Sequence, residues 1–165
     1  MGQAFLPADQ QPDLAITLRR LPHWRLDGSI YFITFRLRQG ALSSLERRLV
    51  LLHVRAGHPQ FYHLIAAVIM PDHAHVILKP HPGMALARIM KGMKGASSRL
   101  VNRGRGTKGS LWLDESWDRI VRNQKELLDK IDYMLHNPVK AGLVKFADEY
   151  EALYWSGETD IIDDD

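Results

Sequence analysis

Two short groups of residues combine types and spacing that could act on a phosphate ester. His73 and His75 are separated by one residue in a segment with a strand-like pattern, so both side chains point to the same face. Two imidazoles side by side can bind a metal ion. The alternative is a pair of ordinary histidines, because a chain with eight histidines easily contains an HxH pattern by chance.

The second group is Tyr133 and Asn137, which are four residues apart in a segment with helical spacing and therefore share one helix face. Each also has a structural interpretation. The tyrosine could face the core, and the asparagine could cap the end of the helix before Pro138. The spacing alone does not separate these interpretations.

Together the two groups provide what metal-assisted chemistry on a phosphodiester needs. The two imidazoles and the side-chain carbonyl of Asn137 are three neutral ligands for Mg²⁺ or Mn²⁺, and they leave room for phosphate oxygens and water. Such an ion acts as a Lewis acid. Tyr133 could then attack phosphorus as a nucleophile. Neutralising the phosphate charge eases this attack for a phenol, whose ordinary pKa is about 10.

The distribution of charge indicates a polyanionic partner. The chain has 22 Lys and Arg residues against 19 Asp and Glu, and five of the acidic residues lie in the last eight positions. No acidic residue occurs between His73 and Leu113. A block of one sign is typical of a nucleic-acid contact, although a solvated helix face is the alternative. The candidates for DNA binding are Arg88, Lys91, Lys94, Arg99, Arg103, Arg105 and Lys108.

Other residues near these groups have weaker signals. Trp112 and Trp117 could stack on unpaired bases, but core packing is the favoured interpretation for both. His63 is assigned a structural role. Lys140 and Lys145 follow the predicted tyrosine helix and could also touch DNA.

Composition predicts one domain. A chain of 165 residues with 45% hydrophobic residues can bury a core. We expect a flexible segment over 1–20, a domain over 21–155 and an acidic, disordered tail over 156–165. The absence of cysteine excludes disulfides and thiolate metal sites. No apolar run could span a bilayer and no signal-peptide pattern is present, so a cytoplasmic protein is expected.

The order of predicted elements defines the expected fold. Patterns of periodicity and turn residues predict a strand over 29–37, a helix beginning at Ser43 or Ser44, and a β-hairpin over 61–80. They then predict a basic helix over 84–101, a loop over 102–110, a strand over 117–121 and a helix over 124–136. The last helix should stop before Pro138. This order predicts a ferredoxin-like α+β fold, with one antiparallel sheet of four or five strands and helices packed on it.

Two motifs resemble a known family. The segment PDHAHVIL resembles the HUH motif of single-tyrosine transposases of the IS200-like type, and YMLHNPVKAGLV resembles the segment around the tyrosine in their REP-associated branch. The strand YFITFRL, the helix segment IMKGMKG and the segment SLWLDESWDRIVR are also similar. The resemblance covers roughly residues 22–155. The spaced combination of HxH and Y-x3-NP is far more specific than HxH alone.

The resemblance implies a DNA enzyme of bacterial cytoplasm, associated with the nucleoid. It implies cleavage of single-stranded DNA at hairpin repeats, a 5′-phosphotyrosine intermediate and a free 3′-hydroxyl. Tyr133 would be the nucleophile, and His73, His75 and Asn137 would hold Mg²⁺ or Mn²⁺. The departure is Ala74, which is smaller than the usual middle residue. It faces away from the metal in a strand, so an effect on packing is expected.

Two other functions remain open from the sequence. One is a non-catalytic nucleic-acid-binding module of ferredoxin-like fold. The other is a metal-dependent hydrolase that uses water, in which Tyr133 has a structural role. The chain could act as a monomer or as a homodimer, and the sequence does not choose between them.

Overall fold

The computed structural model describes residues 28–162. The expectation for residues 1–20 lies outside this range. The elements, numbered in chain order, are β1 Ile30–Leu37, α1 Ser44–Ala56, β2 Tyr62–Ile69, β3 His73–Pro80, α2 Leu86–Arg105, β4 Trp112–Val121, α3 Gln124–Lys140, a short 3-10 helix Ala147–Glu149, and β5 Leu153–Trp155.

The strands form one antiparallel sheet in the order β4-β1-β3-β2-β5. The first four strands and the two helices α1 and α2 give the β-α-β-β-α-β order of the ferredoxin-like fold. The predicted α+β fold with a single antiparallel sheet is therefore confirmed. β3 is the central strand, and its neighbours on both sides fix its position.

The two faces of the sheet carry different helices. Phe35 lies on the face that α1 and α2 cover: its ring packs edge-on against Trp112, with centroids 4.6 Å apart. The indole N–H of Trp112 donates to the hydroxyl of Ser97 on α2 at 2.8 Å. Side chains alternate along a strand, so His75 and its cross-strand partner Thr34 lie on the opposite face. There the ring of Tyr133 on α3 packs against His75.

Local sequence explains where α1 begins. The side chain of Ser43 accepts a hydrogen bond from the backbone N–H of Glu46 at 3.2 Å, and the Glu46 carboxylate accepts one from the Ser43 N–H at 2.8 Å. This is a capping box, which satisfies backbone donors that the first turn leaves unpaired.

Two predicted helix ends were wrong. α2 continues to Arg105, so Arg103 and Arg105 lie on the helix and not in a loop. Its last turns are held because Val101 is buried and because Arg105 bonds to Glu46 on α1. The helix ends at Gly106, whose φ of +68° favours glycine.

α3 continues through Pro138 to Lys140, whereas the sequence predicted its end at residue 136. A proline inside a helix lacks the N–H donor, and its ring clashes with the carbonyl four residues earlier, but the hydrogen bonds of later residues can still form. The next turn still forms, because the N–H of Ala141 donates to the carbonyl of Asn137 at 3.0 Å. Pro138 is buried, so its ring adds packing that offsets part of the missing bond. Asn137 therefore lies inside the helix and is not its cap.

The described part of the acidic tail, residues 156–162, contacts the domain. The N–H of Ser156 donates to the carbonyl of Ile65 at 2.8 Å, and Glu158 bonds to His63 at 2.7 Å. Ile161 and Ile162 are partly buried against the core. These two apolar residues interrupt the acidic run, and the burial of their side chains favours contact of the tail with the domain. No helix within residues 28–162 is long and apolar enough to cross a membrane.

Candidate active site

The His73 and His75 side chains lie next to each other on the face of β3 that carries α3. Their ring centroids are 4.9 Å apart, and the ring planes meet at 73°. The sequence prediction that the two imidazoles share a face is therefore correct. Because β3 is hydrogen-bonded to β1 on one side and β2 on the other, the backbone under this pair is rigid.

Each imidazole is oriented by a partner on its Nδ1 atom. His73 Nδ1 lies 2.7 Å from a carboxylate oxygen of Asp72, which can only accept, so the imidazole donates there. His75 Nδ1 lies 2.8 Å from the hydroxyl of Thr34. A proton on Nδ1 of His73 leaves the lone pair of its Nε2 available, and the Thr34 hydroxyl can accept from the corresponding Nδ1–H tautomer of His75. This is the arrangement in which an outer hydrogen bond fixes the tautomer of a metal-binding histidine.

The environment of His75 keeps its ring neutral. The residue is only 5% exposed. Burial, followed by the positive charges of His73, Arg36 and Lys130, lowers the pKa of His75 to about 3. A neutral imidazole is the form that binds metal. Nε2 of His75 is nevertheless buried without a hydrogen-bond partner, which is costly for a polar atom.

Asn137 presents a second buried acceptor without a partner. Its Oδ1 atom is buried and makes no hydrogen bond. It lies on α3 one turn after Tyr133, so both side chains point to the same side of the helix. No group of three or more histidine or acidic residues that could hold a metal occurs within residues 28–162, so a third protein ligand beside the two histidines would have to be of another residue type, such as an amide.

Tyr133 is not a core residue. Its side chain is 46% exposed. Its ring packs edge-on against His75, with centroids 5.4 Å apart, and against Phe32 at 6.5 Å. The structure thus brings the predicted nucleophile to the predicted ligand pair. The two unpartnered acceptors fit a divalent ion, because His75 Nε2 and Asn137 Oδ1 are neutral N and O donors that bond to nothing else.

Sequence reasoning missed four residues that support this site. Thr34 and Asp72 orient the imidazoles. Phe32 stacks on His75 with centroids 5.3 Å apart and planes at 21°, and the ammonium of Lys130 lies 4.8 Å above the Phe32 ring. The alternation of β1 would have placed Phe32 and Thr34 on one face. Only the register with β3 shows that this face carries the histidines.

The seven predicted DNA-binding residues do not lie around this site. Six of them are on α2, which covers the other face of the sheet, and Lys108 follows that helix. Lys94 is half-buried and donates to the carbonyls of Leu113 and Asp114 at 2.5 and 3.0 Å. Arg105 is exposed but paired with Glu46. The other five are exposed: Arg88, Lys91, Arg99, Arg103 and Lys108.

The two tryptophans considered for stacking have different environments. Trp112 is fully buried, as its core interpretation predicted. Trp117 is 43% exposed, on the same face as His75. The core interpretation is therefore wrong for Trp117. Lys140 and Lys145 are exposed, and His63 is held by Glu158 near the β5 edge.

The fold and the site define a class of protein that matches a known family. Residues 43–121 match the model of the family described as "Transposase IS200 like". This stretch runs from the cap of α1 to the end of β4 and includes both histidines. Over this stretch the chain is similar to this family of transposases, which are DNA-processing enzymes.

Two relatives of this chain are described as REP-associated tyrosine transposases. The chain is 25% identical over 138 residues to a Haemophilus influenzae protein described as "Putative REP-associated tyrosine transposase", covering 74% of this chain and 77% of that protein. A solved structure described as a REP-associated tyrosine transposase bound to a REP hairpin is also 25% identical, with a TM-score of 0.60. That match covers 78% of this chain and 77% of the other.

Proposed function

We propose that this protein cuts and rejoins single-stranded DNA at hairpin repeats, with Tyr133 as the nucleophile. The observation that carries the proposal is that an exposed tyrosine packs against His75, whose Nε2 is buried without a partner, while a second such atom, Asn137 Oδ1, lies one turn further along the tyrosine helix. Either feature alone has a structural explanation. Together they supply an attacking oxygen and the means to neutralise a phosphate.

His73, His75 and Asn137 would hold Mg²⁺ or Mn²⁺. The bound ion supplies Lewis-acid activation of the phosphodiester. The protein's contribution is to orient the two imidazoles through the Nδ1 contacts with Asp72 and Thr34, and to keep the buried His75 neutral. Lys130 adds positive charge beside the nucleophile, because it lies on α3 three residues before Tyr133.

The reaction is a transesterification at phosphorus. The Tyr133 hydroxyl loses its proton and its oxygen attacks the phosphorus. The P–O3′ bond breaks, and the 3′ oxygen leaves and takes up a proton. The products are a 5′-phosphotyrosine and a free 3′-hydroxyl, and attack by another 3′-hydroxyl reverses the step and joins strands. One ester bond forms as another breaks, so the reaction needs no external energy source.

A DNA hairpin is the substrate that the relatives favour. The related structure is described as bound to a REP hairpin, and the relative in Haemophilus influenzae carries the same branch name. The basic surface on α2 gives this chain a second region with affinity for phosphates. A stem and its single-stranded flank differ in shape, so the two faces of the sheet could hold different parts of one hairpin.

The test is a denaturing gel of the protein incubated with Mn²⁺ and labelled hairpin oligonucleotides from the repeats that flank its own gene. We expect a slowly migrating protein–DNA adduct with the wild type. Tyr133→Phe should form none and should still bind the DNA, because only the hydroxyl is removed.

Each of the other possible outcomes would indicate a different function or a different nucleophile. Cleavage without an adduct would identify a hydrolase that uses water and would refute the role of Tyr133. Binding by the wild type with neither cleavage nor adduct, across the whole set of flanking repeats, would identify a non-catalytic binding module. An adduct of equal yield in Tyr133→Phe would assign the nucleophile to another residue.

A further inference from the structure

Trp117 occupies a position that core packing does not explain. It lies on β4, an edge strand, and its side chain is 43% exposed. The other tryptophan of this strand, Trp112, is fully buried on the opposite face. An exposed indole gains little stability for the fold, so its position raises the question of what it contacts.

The register places Trp117 in the same row as the candidate site. Trp117 is the direct cross-strand partner of Thr34, and Thr34 is the direct partner of His75. Neighbouring strands are about 4.8 Å apart, so the backbone of Trp117 lies roughly 10 Å from that of His75 on the same face. This is within reach of the base next to a phosphate held at the histidines.

Two arginines flank the indole on this face. Arg119 lies two residues further along β4, opposite Phe32, and Arg36 lies diagonally across, opposite His73. Both are exposed, and neither forms an ion pair with any residue in the described range 28–162. An aromatic ring between two available guanidinium groups is the composition of a surface that binds unpaired nucleotides, with the base on the ring and phosphates on the cations.

α3 leaves this side of the face accessible. The helix packs chiefly against β2, on the far side of β3 from β1 and β4. Trp155 provides an internal comparison. It is also exposed and on the same face, since it pairs with Ala66 and Ala66 pairs with Ile77, but it lies on β5 at the opposite edge, beyond α3.

We infer that Trp117 stacks on the unpaired base next to the phosphodiester that Tyr133 attacks. This inference rests on the proposed function and adds a positioning residue to it. The indole holds the strand so that the phosphate lies over the histidines, while Arg36 and Arg119 contact the neighbouring phosphates. Trp117 itself takes no part in the bond changes.

The test measures affinity for a hairpin oligonucleotide with single-stranded tails, from a repeat that flanks the gene. It uses the full chain with Tyr133→Phe, so that no cleavage occurs. We expect Trp117→Ala to weaken binding by about 5- to 150-fold, the range for the loss of one base–aromatic stack. Trp117→Phe should recover most of the affinity, and Trp155→Ala, the matched control, should change it little.

A base-specific measurement distinguishes stacking from a structural effect. In a series of oligonucleotides that each lack one tail base, one abasic position should weaken binding to the parent protein by the same factor. That position should have no further effect on Trp117→Ala. Equal losses for every abasic oligonucleotide in both proteins, or unchanged affinity of Trp117→Ala for the intact oligonucleotide, would overturn the inference.

Adduct formation by the otherwise wild-type chain, assayed beside these titrations, separates this inference from the proposed function. An adduct combined with no effect of Trp117→Ala refutes the inference and leaves Tyr133 as the nucleophile. A missing adduct combined with a Trp117-dependent response to one abasic position refutes the nucleophile and leaves Trp117 as a stacking residue.

Discussion

The hydroxyl of Thr34 lies 2.8 Å from Nδ1 of His75, across the pair of strands at the centre of the sheet. This bond fixes which imidazole nitrogen faces the site. Through this bond β1, a strand without a proposed catalytic residue, would influence the proposed metal site on β3. Outer partners of this kind commonly change metal affinity or activity by about 10- to 100-fold when they are removed.

Thr34→Val should therefore weaken Mn²⁺ binding by about 10- to 100-fold, because the replacement keeps the shape but leaves His75 without its orienting bond. Titration with Mn²⁺, followed by calorimetry, measures this directly. Thr34→Ser keeps the hydroxyl and should bind Mn²⁺ nearly as the wild type does. If both variants lose affinity equally, the hydroxyl is not the cause.

Asn137→Leu should separate stability from metal binding. Without metal, a buried carbonyl that makes no hydrogen bond costs about 1–3 kcal/mol, so its replacement by an apolar side chain should leave the unfolding temperature unchanged or raise it. In Mn²⁺, the wild type should gain stability and the variant should gain much less. Thermal unfolding in EDTA and in Mn²⁺ provides the four values. An equal gain in both proteins would exclude Asn137 as a ligand.

Neutralising the exposed positions Arg88 and Lys91 should flatten the salt dependence of DNA binding. For each phosphate that the protein no longer neutralises, the log–log slope should change by about 0.7 on single strands and about 0.9 on duplex DNA. Fluorescence anisotropy over a range of salt concentrations gives the slope for both kinds of DNA. An unaltered slope would show that this face of the protein does not contact DNA.

Lys94 should behave differently from its neighbours on the same helix. Its ammonium donates to the carbonyls of Leu113 and Asp114 and to the Ser116 hydroxyl. Lys94→Met should therefore destabilise the fold, by about 1–3 kcal/mol in denaturant unfolding, since those acceptors lose their donor. The salt slope should be nearly that of the wild type. If Lys94→Met instead had the stability of the wild type and a reduced salt dependence of DNA binding, Lys94 would be a phosphate-binding residue.

The Glu46–Arg105 pair predicts a pH dependence of stability. The hydrogen bond from Arg105, the largest cause, lowers the pKa of Glu46 from 4.5 to about 2. Because the folded-state pKa is depressed, the contribution is fully present above pH 4.5 and is lost as the pH falls towards about 2. Glu46→Gln should remove this part of the acid destabilisation, measured as unfolding temperature against pH. If the difference in unfolding temperature between the wild type and Glu46→Gln were constant between pH 5 and pH 2, this prediction would be contradicted.

The sequence predicted those features of the fold and site that depend on periodicity. Alternation placed His73 and His75 on one face, and helical spacing placed Tyr133 with Asn137. The motifs that contain these residues indicated the resemblance to the transposase family. The element order was sufficient for the ferredoxin-like sheet, because its two halves repeat a strand, a helix and a strand.

Features that depend on register and tertiary packing were not predictable in the same way. Alternation shows that Trp117 and Trp112 lie on different faces only when β4 is known to begin as early as Trp112. The role of Lys94 depends on the first residues of β4, whose carbonyls accept from its ammonium. The end of α3 was wrong because the local preference before a proline was outweighed by the burial of Pro138.

α3 is continuous from before Tyr133 to beyond Pro138, and this continuity has a consequence for how the proposed activity could be regulated. Tyr133, the proposed nucleophile, and Asn137, the proposed amide ligand, lie on the same uninterrupted helix. A movement that withdraws Tyr133 would also withdraw Asn137, so under the proposed function metal occupancy and readiness of the nucleophile would be thermodynamically linked. A helix displaced by a partner or by a product strand would therefore lose both functions together and regain both together.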